Sequence, residues 1–123
     1  MNITITNKKH DMNIEQIGSK DGKEYILFRA KKGVCLHNYA IYDTTYDKEG
    51  NKSNKWPHFY RFPKGDAMEE DGYICLYTDD SDSQATFHGQ RIKTFHMGLD
   101  KVLNKQGDGV FLIKVEDIDS KSI

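Results

Sequence analysis

Apolar positions along this chain fall in short bursts, and none keeps the three-to-four-residue spacing of an amphipathic helix. Residues 23–30 carry Tyr25, Ile26, Leu27 and Phe28 in an unbroken run. That pattern predicts a central strand, with Ile26 and Phe28 on one face and Tyr25 and Leu27 on the other. Further strands are predicted over 13–17, 34–36, 39–45, 56–62, 72–78 and 110–115, with an ambiguous stretch over 86–96 and residues 99–103 leading into a turn over 104–109. Turn chemistry separates them. Asp21-Gly22 suits a tight hairpin because both residues tolerate positive φ, and Lys31-Lys32-Gly33 and Pro63-Lys64-Gly65-Asp66 mark sharp reversals. Gly65 and Gly107 are expected where the chain turns hardest. Residues 68–71 read as one helical turn or an extended loop, and residues 47–55 and 79–84 as solvated loops. About seven short strands without helices predict an all-β, antiparallel sandwich, because parallel pairing needs long crossovers, usually helical.

A chain of 123 residues is one domain and can bury a core without metal or disulfides. Its 18 Lys and Arg against 19 Asp and Glu give a net charge of -1, which argues against a strongly basic nucleic-acid or membrane-surface protein as a whole. No segment approaches the roughly 20 apolar residues of a membrane span, and Met1 is not followed by a leader-like apolar run. The expected compartment is the cytoplasm. Cys35 and Cys75 are read as small apolar residues inside strands, with a single cross-strand disulfide as the other reading.

The order of the pieces carries more than any one of them. Glu24-Tyr25-Ile26-Leu27-Phe28 is followed by Leu36-His37-Asn38-Tyr39-Ala40-Ile41. Then come Tyr60-Arg61-Phe62-Pro63-Lys64-Gly65, Gly72-Tyr73-Ile74-Cys75-Leu76-Tyr77 and Phe95-His96-Met97-Gly98. The series ends on Leu103-Asn104-Lys105-Gln106-Gly107-Asp108-Gly109-Val110-Phe111-Leu112. Over roughly residues 12–116 this resembles the lamin-tail domain family. Tyr39 and Ala40 stand where that family has a Gly-Trp pattern, so Tyr39 would serve as the core aromatic. The resemblance implies an immunoglobulin-like β-sandwich with a non-catalytic binding role. Residues 1–11 would be an N-terminal extension or edge strand, and 117–123 a polar tail.

Chemistry-bearing residues are sparse. His88 and His96 with Cys35 or Cys75 lack zinc-ligand spacing, and read as ordinary loop histidines. The Asp79, Asp80 and Asp82 cluster fails the calcium-loop pattern, with Ala85 and Arg91 at the positions that need Gly and Glu. Cys35 and His37 would share a strand face, but no third residue orients them. No catalytic residue, metal or cofactor is predicted.

One region interleaves basic and aromatic residues, and Lys52, Lys55, Trp56, His58, Tyr60 and Arg61 form the candidate binding surface. Along 56–62, alternation puts Trp56, His58, Tyr60 and Phe62 on one face and Pro57, Phe59 and Arg61 on the other. If Phe59 points inward, Trp56, His58 and Tyr60 are an exposed platform. Otherwise Trp56, Tyr60 and Phe62 are core, as aromatic strand faces usually are. The expected function is that of an interaction module with a protein or other macromolecular partner. The alternative is a nucleic-acid binder using the basic and aromatic stretch, and a metal-dependent hydrolase comes third. A monomer is expected.

Overall fold

The computed structural model describes residues 11–43, 59–99 and 109–115. Lys52, Lys55, Trp56 and His58 lie outside the described residues, as do the 47–55 loop, positions 100–103, Gly107 with the turn around it, and the 117–123 tail. The chain is an all-β sandwich built from β1 (Met12–Lys20), β2 (Lys23–Ala30), β3 (Tyr39–Asp43), β4 (Phe59–Arg61), β5 (Gly72–Tyr77), β6 (Thr86–Phe87), β7 (Gln90–Arg91), β8 (Lys93–His96) and β9 (Val110–Lys114). One sheet has the order β1-β2-β5-β8, the facing sheet β4-β3-β9, and β6 and β7 form a small hairpin.

The β1–β2 hairpin closes on Asp21 and Gly22, with φ of 54° and 77°, the paired left-handed geometry that matches the strand twist. Ile14 and Ile17 are an odd number of positions apart, so simple alternation would send them to opposite faces. A β-bulge between Ile14 and Gln16 shifts the register, so that Ile14 pairs with Phe28 and Ile17 with Ile26; Ile14 packs against the core, while Ile17, on the edge strand, is 48% exposed. β2 is central, as its continuous apolar run predicts. Ile26 and Phe28 enter the core, while Leu27 faces the other way opposite Cys75, and both of these are buried.

The core lies between the two sheets. Met12, Ile26, Phe28, Ala30, Ile74 and Leu76 of the first sheet meet Tyr39 and Ile41 of the second and Phe62 just after β4, with Tyr60, Val110 and Leu112 packed at its margin. Tyr39 fills the core-aromatic position.

Several local expectations are corrected. Sheet pairing is not wholly antiparallel, because β5 and β8 run parallel, with Ile74 opposite Lys93 and Tyr77 opposite His96. Their connection contains the β6–β7 hairpin rather than a helix, so the crossover length is supplied by β structure. Residues 34–36 are not a strand: Leu36–Asn38 is a short 3-10 turn that carries the chain from one sheet to the other. Cys35 therefore lies outside any strand, and it and Cys75 are both free thiols. Gly65 does not adopt positive φ, so the reversal after Phe62 proceeds through ordinary backbone. Residues 68–71 are extended loop, with Met68 buried and its N–H donating to the Val34 carbonyl at 2.8 Å.

Candidate functional site

β4 decides how the aromatic stretch is used. Tyr60 pairs with Ile41 and leans into the core, its ring edge-on to Phe62 at 5.4 Å. Burial pushes its phenol above the ordinary 10.0. Phe62 is 0% exposed and Phe59 is 60% exposed. Phe59 thus points outward, and the condition for a platform built on the Tyr60 face does not hold. The physical reason is the β4–β3 register: it sets Tyr60 beside the inward Ile41 and leaves Phe59 beside the outward Tyr42. Arg61 is on the outer face, and its Nε donates to the His37 carbonyl at 2.7 Å. His37 in turn donates through Nδ1 to the Phe62 carbonyl at 2.8 Å. These two bonds tie the 3-10 turn to the end of β4, so His37 is not the partner of Cys35.

The outer face of the three-stranded sheet carries an aromatic row that the sequence gives no periodic signal for, because its members are far apart in the chain. Tyr42 lies opposite Phe59 on one side and opposite Phe111 on the other. Tyr42 and Phe111 stack, with centroids 5.2 Å apart and planes at 26°. Rings that rise from adjacent strands and stack on each other stand upright and turn their edges outward. On the same face, Ala40 and Ile113 are buried, so the exposed part of the row lies at Phe59. Comparison with protein-family models, with curated proteins and with solved structures finds no match.

At the β8 end of the first sheet a polar cluster organises the 79–84 loop. His96 stacks on Tyr77 at 5.3 Å, and its Nδ1 faces Asp79 Oδ1 at 3.2 Å and its Nε2 the Ser83 carbonyl at 3.0 Å. Ser81 donates its hydroxyl to the same Asp79 oxygen at 2.9 Å, and Lys23 Nζ donates to Ser83 Oγ. Burial raises the Asp79 carboxyl, but the bonds from Ser81 and His96 outweigh it and hold the group below its ordinary 3.8. A carboxylate depressed in the folded state stabilises fully above the unfolded value, and that stabilisation is lost as pH falls through the folded value. Asp79→Asn is therefore expected to flatten the fall in urea midpoint between about pH 6 and about pH 2. A variant profile parallel to wild type would contradict this linkage.

Among the described residues no three His, Cys, Asp or Glu side chains gather as a metal cluster. His88 sits at the β6–β7 hairpin tip with φ of 53°, while His96 is engaged with Asp79 and Ser83. Cys75 is pushed up to about 11 by burial, with a Tyr77 hydrogen bond acting the other way, so it is a poor nucleophile.

Proposed function

We propose that this chain is a non-catalytic interaction module of lamin-tail type, and that it holds a protein partner through the Phe59, Tyr42 and Phe111 row. The observation that carries this reading is Phe59, a large apolar ring 60% exposed and aligned across three strands with two further aromatics. Exposed aromatics clustered on a rigid surface are the residues that most often dominate protein interfaces. Tyr42 and Phe111 stack on each other, so one face of each ring is already taken, whereas base stacking needs open ring faces. Arg61, the cation on this face, already donates one N–H to His37. Both features favour protein over nucleic acid.

The test is site-specific photo-cross-linking in the cells that make the protein, with benzoylphenylalanine at position 59 and, separately, at the exposed Glu69. A discrete protein adduct from position 59 and none from 69 is expected. An adduct that nuclease digests, with binding that weakens steeply as salt rises, would replace this reading by the nucleic-acid one. Absence of any adduct at 59 would remove the aromatic row as the contact surface.

A further inference from the structure

The segment Asp79-Asp80-Ser81-Asp82-Ser83-Gln84 has no apolar residue, so polar bonds set its path. Its two ends are fixed through the backbone. The Asp79 carbonyl accepts from the Gly98 N–H at 3.0 Å, and the carbonyl of the buried Ala85 accepts from the Ile92 N–H at 3.2 Å. The Gln84 side-chain amide donates to the Ile92 carbonyl at 2.7 Å. Between these anchors His96 spans the loop, with Asp79 Oδ1 against Nδ1 and the Ser83 carbonyl against Nε2.

Both of these partners only accept. A backbone carbonyl has no proton to give, and Asp79 is a carboxylate down to below 3.8, where its bonds from Ser81 and His96 hold it against the raising effect of burial. A neutral imidazole carries one N–H and an imidazolium two. Only the imidazolium donates at both ends, so the closed loop needs the second ring proton. When that proton leaves, the N–H that remains is the one at Nδ1. A lone pair there would face a full negative charge, whereas at Nε2 it faces only a carbonyl dipole. The Ser83 contact is therefore the one lost.

The groups around the ring act in both directions. From β5, Tyr77 stacks on it, and burial with the neighbouring Cys75 and Asp79 holds that phenol above 10.0, so it is uncharged. From β2, Lys23 Nζ donates to Ser83 Oγ and opposes the imidazolium, while Glu24 accepts from the Thr78 hydroxyl at 3.3 Å and, with Asp79, favours it. Asp80 and Asp82 of the loop are exposed. The Lys23 bond comes from a long side chain that can follow the loop, so it does not fix Ser83 as the ring does.

We propose that His96 is a proton-operated latch, which ties residues 80–83 to the edge strand β8 when it holds two ring protons and releases them at Ser83 when it holds one. Closing takes up a proton, so it is favoured as pH falls through the titration of the ring. Further acid protonates Asp79 and removes the other bond, so the latch is closed over a window bounded by these two groups. It does not rest on the interaction reading, because β8 and the aromatic row belong to different sheets.

The full chain, labelled with nitrogen-15, is followed by NMR from about pH 5 to about pH 9, across the ordinary range of histidine. The His96 ring is expected to show two protonated nitrogens on the acid limb and Nδ1–H alone on the alkaline limb. The Gln84 amide shares its peptide bond with the Ser83 carbonyl and is expected to move on the same curve. Hydrogen exchange at Ser83, corrected for its intrinsic pH dependence, is expected to be about five-fold or more faster on the alkaline limb, the effect of one lost hydrogen bond. His96→Phe keeps a ring on Tyr77 and removes both donors, so the Gln84 titration is expected to vanish. His88→Gln, at the β6–β7 hairpin tip, is expected to leave it in place. A Gln84 amide that does not follow the His96 ring, or that titrates unchanged in His96→Phe, would overturn the proposal. An alkaline limb with the proton on Nε2 would overturn it too.

Discussion

Replacing Phe62 by alanine is expected to lower stability by about 3–5 kcal/mol, the range for a buried aromatic truncated in a core. Phe62 is 0% exposed and sits at the centre of an edge-to-face cluster, with Phe28 at 5.5 Å, Tyr60 at 5.4 Å and Phe95 at 5.3 Å. Those three rings come from β2, β4 and β8, so Phe62 is where both sheets meet. Each such pair adds about 0.5–1.5 kcal/mol beyond its buried area, although pairs sharing one ring are not additive. Against a domain stability of about 5–15 kcal/mol this is a large fraction. With roughly 1–3 kcal/mol per molar urea, the midpoint is expected to fall by at least ~1 M. A fall below ~0.3 M would mean that the two sheets do not depend on this ring.

Tyr60→Ala and Phe59→Ala are expected to separate, although the two residues are neighbours. Tyr60 leans on Phe62 and is partly buried, so its loss is expected to cost about 2 kcal/mol, part of the full-burial range. Phe59 faces solvent, and surface changes usually stay within about 0.5 kcal/mol. Equal destabilisation by the two changes would contradict the orientation of β4. Loss of fold stability by Phe59→Ala alone would reverse it.

The parts of the fold written in adjacent residues were legible in the sequence. The Asp21-Gly22 hairpin, the β2 run with Ile26 and Phe28 inward, and the boundaries of β5 all follow from local pattern and turn chemistry. What depends on pairing between distant segments was not. The parallel partnership of β5 and β8 has no local signature, because a strand reads the same whichever way its neighbour runs. The bulge in β1 has no local signature either. For the candidate surface, the sequence reduced the stretch around Tyr60 and Arg61 to two arrangements. Deciding between them required the register of β4 on β3, and the aromatic row then emerged from residues Tyr42, Phe59 and Phe111 that no short window contains.

The most direct test of the binding surface is the affinity of the partner captured through position 59, measured by calorimetry against wild type and Phe59→Ala. A central aromatic anchor is expected to contribute about 2 kcal/mol, which is roughly a thirty-fold loss of affinity. The account predicts that loss together with an unchanged urea midpoint. Wild-type affinity in a folded Phe59→Ala variant would contradict it and place the contact surface elsewhere on the sandwich.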